Sequence, residues 1–226
     1  MKFTYYGQSC FVVEVKGKKL LFDPFIKHNP LAKDIDIKTI EADFILLSHG
    51  HGDHTADAVE LAKQTGAMCI APFEVASWLS KNGIEQVHYL NQGGPVNFDF
   101  GTVRGVNAIH SSSFNDGSYA GNPIGFVIKT DEGSFYFAGD TAVTLDMQLI
   151  PRFAKLDFAI LPIGGNFTMD PDDAIIAADF IQCKKIVGVH YNTFDAIKID
   201  KEKAKKSFEA AGLKLLLPAV GETIEV

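Results

Sequence analysis

Arginine is almost missing from this chain: among 226 residues only Arg104 and Arg152 carry a guanidinium, and the formal net charge is −7. Clustered Lys and Arg are what bind phosphate backbones and anionic membrane surfaces, so this balance disfavours nucleic acid and membrane partners. Long apolar runs are absent too; none approaches the ~20 residues that span a bilayer. Met1-Lys2-Phe3-Thr4 leads straight into a strand pattern, without the charged, apolar and small-residue order of a signal peptide. The expectation is a cytoplasmic protein. Cysteine is sparse: Cys10, Cys69 and Cys183 are odd in number, far apart and each set in an apolar segment. They are expected to be buried free thiols, in keeping with a reducing compartment, and not metal ligands.

What is present suits a substantial core. Hydrophobic residues make up 46% and charged residues 22%, and eighteen phenylalanines are available to fill an interior. No low-complexity linker or charge run divides the chain, which predicts one domain over residues 1–226. Strands are expected at Lys2 to Tyr6, Cys10 to Val15 and Lys19 to Phe22, the last two joined by a turn at Lys16-Gly17-Lys18. Asn29 to Glu41 reads as an exposed connection and Asp43 to Ser48 as a buried strand. A helix capped by Thr55, with Asp57 in its first turn, should run to Thr65 and stop at Gly66.

Further on, strand Met68 to Ala71, helix Phe73 to Lys81 and strand Gln86 to Leu90 continue the alternation. Pro95 to Ile109 reads as a hairpin turning near Gly101, and Gly125 to Thr130 with Ser134 to Ala138 as another. Helix Leu145 to Phe153, strand Phe158 to Leu161, helix Pro171 to Ile181, strand Lys185 to Val189, helix Asp200 to Ala211 and short closing strands complete the chain. Asp170-Pro171-Asp172-Asp173 starts a helix by its chemistry, with a capping Asp, Pro in the first turn and acids at the positive end of the dipole. Strands with helices outside fit two sheets face to face or one sheet covered on both sides.

The chemistry concentrates in His49-Gly50-His51-Gly52-Asp53-His54, three imidazoles and a carboxylate directly after the apolar run Phe44 to Ser48. Neutral imidazole and carboxylate are the donors divalent first-row metals prefer, and such a cluster has little packing value at the end of a buried strand. It reads as half of a two-metal site. His110, Asp140 and His190 also directly follow apolar, β-rich runs, whereas His28 and His88 stand apart from the motifs and are expected to be ordinary surface or core residues.

His49-x-His51-x-Asp53-His54 followed in order by His110, Asp140 and His190 resembles the metallo-β-lactamase fold superfamily over nearly the whole chain. The contexts Ser48 to His54, Phe137-Ala138-Gly139-Asp140-Thr141, Val189-His190-Tyr191 and Gly164 to Asp170 are similar to a branch of small metal-dependent hydrolases that includes L-ascorbate-6-phosphate lactonases. The resemblance implies an α/β protein, an αββα four-layer sandwich of two face-to-face mixed sheets with helices outside. It implies that His49, His51 and His110 hold one metal, that Asp53, His54 and His190 hold the other, and that Asp140 bridges them. Residues 49 and 51, two apart in extended backbone, point the same way, which fits that division.

Five imidazoles and two carboxylates with no thiolate suit two divalent ions, Zn²⁺ by default and Mn²⁺ or Fe²⁺ as alternatives. A hydroxide shared by the two ions would attack an ester, lactone or related bond of a small molecule, with Asp53 as ligand and proton acceptor. Asp23, Ser48 and Thr141 lie beside ligands or at a strand end and are candidates to orient them, a turn or capping hydrogen bond being the competing role. Asn115 and Tyr119, Asn166 and Thr168, and Asn192 belong to loops beside ligands and are candidates to touch substrate. Lys129 or Lys198 would be the cations to anchor a phosphate. The alternatives are a phosphodiesterase or nuclease of the same fold, a diiron redox protein, and a metal-stabilised binding module without turnover. A small-molecule substrate is the expected partner, and nothing in the composition opposes a homo-oligomer.

Overall fold

Apolar residues spaced two apart give each strand one face for a facing sheet and one for covering helices. The computed structural model describes all of residues 1–226. Its strands, in chain order, are Lys2–Gly7 (β1), Cys10–Val15 (β2), Lys18–Phe22 (β3), Phe44–Leu46 (β4), Met68–Ala71 (β5), Val87–Tyr89 (β6), Val96–Phe98 (β7), Gly101–Asn107 (β8), Ile124–Thr130 (β9), Gly133–Phe137 (β10), Phe158–Pro162 (β11), Lys185–Val189 (β12), Lys214–Leu216 (β13) and Thr223–Glu225 (β14). The helices are Gly52–Thr55 (α1), Ala58–Thr65 (α2), Phe73–Lys81 (α3), Ile150–Phe153 (α4), Pro171–Phe180 (α5) and Lys201–Ala210 (α6). None is long and apolar enough to cross a membrane.

The strands form two seven-stranded sheets, ordered β14-β1-β2-β3-β4-β5-β6 and β13-β12-β11-β10-β9-β8-β7. Both are mixed. In the first, β14 to β3 pair antiparallel and β3 to β6 parallel. In the second, β7 to β10 pair antiparallel and β10 to β13 parallel.

Alternate residues of the two sheets meet in one aromatic layer. Phe3, Phe11, Leu20 and Phe22 from the first pack against Phe126, Phe135, Phe137 and Phe158 from the second. Residues one position out of phase face the helices. Val12, Leu21 and Ile45 pack under Leu61, Val75 and Leu79 of α2 and α3, while Tyr136, Ala159 and Ile186 pack under Ala174, Ala177 and Phe208 of α5 and α6. The architecture is therefore helix, sheet, sheet, helix, the four-layer sandwich of the two arrangements the composition allowed.

Strand direction places the site. β3 and β4 run parallel, and β8 runs parallel to β10 because both are antiparallel to β9. With β11 and β12 parallel to β10, the loops after β3, β4, β8, β10, β11 and β12 leave from C-terminal strand ends. Asp23, the His49–His54 motif, His110, Asp140, the Asn166 loop and His190 lie on those loops.

Three expectations are corrected. Thr55 does not cap a helix: the motif itself winds into α1 behind His51, and the Thr55 hydroxyl donates back to the carbonyls of Gly50 and His51. Asp57 occupies the cap position of α2, but its carboxylate accepts from the Ile26 and Lys27 amides and ties the helix to the segment after β3. Residues 29–41 are not simply exposed, since Ala32, Ile37 and Ile40 are buried against α2 and the first sheet. The helix expected from Leu145 to Phe153 is a 3₁₀ segment, Leu145–Leu149, followed by the single turn α4, because Pro151 lacks the amide needed to continue one ladder through the junction.

Candidate metal centre

The two sheet edges bring the seven donors together from four separated stretches of chain, residues 49–54, His110, Asp140 and His190. His49 Nε2 lies 2.9 Å from His51 Nδ1, and the His110 ring stands 5.2 and 5.1 Å, centroid to centroid, from those of His49 and His51. On the other side, Asp140 Oδ2 lies 3.0 Å from His190 Nε2, 3.2 Å from His54 Nε2 and 3.7 Å from His110 Nε2. Asp53 Oδ2 lies 3.5 Å from His54 Nε2 and 3.6 Å from His190 Nε2. His49, His51 and His110 form one group of donor atoms and Asp53, His54 and His190 another. Asp140 touches both.

These residues fit a pair of ions. Tetrahedral ligands at 2.0–2.1 Å from a metal are about 3.3 Å apart, the range of spacings seen here. His54 Nε2 and Asp140 Oδ1 are buried with no hydrogen-bond partner, a costly state for lone pairs unless a cation takes them. Asp23, His49 and His54 also cluster, but there Asp23 meets the far nitrogen of His54 and belongs to the frame.

That frame fixes the rings from behind. Asp23, buried with φ of 40°, accepts from the Ser48 amide at 2.7 Å, from the Ser48 hydroxyl at 2.6 Å and from His54 Nδ1 at 2.8 Å. The Ser48 hydroxyl lies 2.9 Å from His49 Nδ1, and Ser111 Oγ lies 3.5 Å from His51 Nε2. Three rings thus have one nitrogen engaged from outside and the other turned inward. Gly50 and Gly52 leave room for this packing: a side chain at Gly50 would overlap Ala120, and one at Gly52 would overlap the Asn115 side chain.

The charges of the cluster call for cations. Burial disfavours charge on His54, yet Asp140, Asp53 and Asp23 outweigh it and hold its pKa well above the usual imidazole value. Burial likewise opposes charge on His190, but Asp140 and Asp53 lift its pKa to about 9. Asp140 and Asp53 move well below the carboxylate range, against the penalty of burial, through the same imidazoles. Burial pushes His49, His51 and His110 down, keeping them neutral and able to donate lone pairs. Burial also raises Asp23, over the opposing help of His54 and Ser48.

The donors open into a cavity of about 440 Å³ lined by His51, Asp53, His110, Ser111, Asp140, Phe167, His190 and Phe194. Phe167 is 57% and Phe194 40% exposed. Neither Lys129 nor Lys198 lines it, and Lys198 pairs with Asp195 at 2.7 Å. A separate cavity of about 410 Å³ lies between β8 and the Leu145–Phe153 segment; it holds Arg104 over the Phe153 ring but no histidine or cysteine.

Several candidates take other places. The Thr141 hydroxyl accepts from the Ile109 amide at 2.9 Å and donates to the Ala142 carbonyl, so it shapes the chain before His110 and bonds no ligand side chain. Asn192 Oδ1 accepts from the Ile199 amide at 2.8 Å, which closes its own loop. The Tyr119 hydroxyl donates to Asn122 Oδ1 and the ring is 65% exposed. Asn115 packs on Gly52, Asn166 is exposed with φ of 59°, and the Thr168 hydroxyl donates to the Met169 carbonyl. None of these six lines the cavity. His28 is exposed and His88 packs edge-on against Phe98. Phe194, one residue beyond the loop singled out in the sequence, and Gln8, whose amide donates to Asp53 Oδ2 at 2.8 Å, carried no motif that marked them.

Residues 2–190, a span that ends on His190, match the family model of the beta-lactamase superfamily domain. Over 226 residues and all of both chains, the sequence is 54% identical to a UPF0173 metal-dependent hydrolase of Flavobacterium johnsoniae. A UPF0173 metal-dependent hydrolase of Bacillus thuringiensis subsp. konkukian is 43% identical over 229 residues, with 99% of each chain covered. Among solved structures, Igni18, a metallo hydrolase from Ignicoccus hospitalis, superposes with a TM-score of 0.89 at 36% identity, covering 100% of this chain and 98% of that one. An isothiocyanate hydrolase from Delia radicum gut bacteria shares the fold, with a TM-score of 0.83 at 21% identity and coverage of 100% and 99%.

Proposed function

The chain belongs to the beta-lactamase superfamily and is a metal-dependent hydrolase, and we propose that its substrate is a small, uncharged ester or lactone carrying an apolar group. The carrying observation is the lining of the cavity: two exposed phenylalanines stand over the metal donors, and no Lys or Arg is among the lining residues. An anionic phosphate would find no cation from the protein beside it, which speaks against the phosphodiesterase or nuclease reading. An apolar acyl or alkoxy group gains by covering the Phe167 and Phe194 rings.

His49, His51 and His110 would hold one ion, Asp53, His54 and His190 the second, and Asp140 would bridge. Zn²⁺ is the default for this donor set, with Mn²⁺ and Fe²⁺ as the alternatives. When bound, the two ions ionise a water near neutral pH and polarise the bond under attack. The protein's own part is to hold the donors rigidly through the buried Asp23 and Ser48 and to bind the apolar group on Phe167 and Phe194. Asp53 Oδ1 takes no hydrogen bond from the protein, which leaves it free to accept one from the attacking water and orient it.

The test combines metal quantification with paired substrates. Purified protein is expected to contain up to two equivalents of metal, to lose activity on exhaustive chelation and to regain it with Zn²⁺ or Mn²⁺. It should hydrolyse p-nitrophenyl butyrate or an alkyl lactone in preference to bis(p-nitrophenyl) phosphate. Rapid turnover of the phosphodiester with none of the ester or lactone would overturn the substrate reading.

A further inference from the structure

Gln8 lies in the Gly7-Gln8-Ser9 turn between β1 and β2, where a polar residue in a tight hairpin would ordinarily face solvent. It is instead fully buried, with φ of 53°. Its backbone carbonyl accepts from the His190 amide at 2.9 Å and from the Tyr5 hydroxyl at 3.0 Å. Its side-chain Nε2 donates to Asp53 Oδ2 at 2.8 Å. One residue of the first sheet therefore grips, by two different groups, two of the three donors in the Asp53, His54 and His190 set, one of them delivered by the second sheet.

The chemistry allows one orientation of the amide. An ionised carboxylate only accepts hydrogen bonds, so the NH₂ end must face Asp53. That leaves Oε1 buried without a partner. A left-handed backbone at a residue other than glycine and an orphaned buried oxygen both cost stability, and such costs gather where geometry serves function. A hydrophobic residue in the turn would avoid the second cost and lose the grip on Asp53.

We propose that Gln8 is a positioning residue for one half of the metal centre: it holds Asp53 Oδ2 toward His54 and His190 while its carbonyl sets the backbone from which His190 projects. This rests on the reading of Asp53, His54 and His190 as ligands of one ion. Gln8 touches neither substrate nor metal. Its effect is selective for one of the two ions, because no hydrogen bond joins it to His49, His51 or His110.

Gln8→Asn separates the two grips. Asparagine tolerates positive φ, so the carbonyl contacts persist, but its amide falls one methylene short of Asp53. Gln8→Met, of similar length without a donor, is the second variant. Zn²⁺ titration against a chromophoric chelator is expected to show one site weakened about 10- to 100-fold in either variant, with the other unchanged. kcat should fall with KM near the wild-type value. In an Asp53→Ala background, Gln8→Asn should bring no further loss of affinity.

Four results would overturn the assignment: wild-type affinity at both sites, equal weakening of both, an effect that persists without the Asp53 carboxylate, or loss of cooperative thermal unfolding in both metal-free variants, which would make Gln8 a fold residue. Wild-type protein that binds no ion would instead overturn the metal reading on which the proposal stands.

Discussion

Asp23 Oδ2 lies 2.8 Å from His54 Nδ1 and leaves the opposite ring nitrogen, Nε2, turned toward Asp140. Because a carboxylate can only accept, this contact fixes the proton of His54 on Nδ1 and keeps Nε2 free as a metal donor. Asp23→Asn reverses it. The Asn oxygen would stay on the Ser48 amide, which can only donate, and the NH₂ would then face Nδ1, moving the ring proton to Nε2. Metal affinity is expected to fall about 10- to 100-fold, read by chelator competition, with the fold intact since Asn accepts positive φ. Affinity equal to wild type would show that Asp23 does not set the tautomer.

Much of this site could be read along the chain because each donor follows an apolar run. Phe44 to Leu47, Phe135 to Ala138 and Ile186 to Val189 are strands whose period places them between layers, so the polar residues after them had to emerge at a sheet edge. Asp23 and Ser48 were legible for the same reason. Gln8 was not, because its side chain turns inward only through a left-handed backbone and the close approach of the second sheet. Thr141 and Asn192 misled because Thr and Asn beside a ligand satisfy backbone groups of their own loops as readily as they face a substrate. The helical winding of Gly52–Thr55 was hidden by two glycines, which local propensity marks as loop.

Phe22 joins the two sheets at the centre of the molecule. Its ring is fully buried, stacks on Phe11 at 4.6 Å and meets Phe137 edge-on at 5.5 Å across the sheet interface. Phe22→Ala would leave a cavity bounded by aromatic rings that cannot collapse into it, and a loss of about 3–5 kcal/mol is expected. Denaturant unfolding of the metal-free protein checks this without contributions from bound ions. A loss below about 1 kcal/mol would mean that the layers repack around the gap.

The three thiols are free and buried. Burial pushes Cys69 up to about 12, and Cys10 and Cys183 also rise. At pH 8 the native protein is expected to leave an aromatic disulfide reagent unreacted and to consume three equivalents only on unfolding. A thiol whose pKa is raised by folding favours the folded state fully below the unfolded value of about 8.5. That contribution is lost as pH climbs toward 12, so stability should decline on the alkaline side. Rapid reaction of the native protein, or stability flat over that interval, would contradict the burial of Cys10 and Cys69 on the outer face of the first sheet and of Cys183 on that of the second.

The strongest demand on the substrate reading falls on Phe194, which follows the His190 loop and lies 6.4 Å, centroid to centroid, from Phe25 at a tilt. It ligates nothing, so removing its ring leaves the metal donors and their frame unchanged. If an apolar group rests on it equally in the ground and transition states, Phe194→Ala raises KM and leaves kcat alone. Burying part of a phenyl face contributes roughly 1–2 kcal/mol, so KM for a butyrate ester should rise about 5- to 30-fold, with a smaller change for the acetate. The dependence on acyl length separates this from a general disturbance of the loop, which would affect acetate and butyrate alike. A uniform loss across the ester series, or a fall in kcat with KM unchanged, would remove Phe194 from the binding surface and leave the apolar specificity to Phe167.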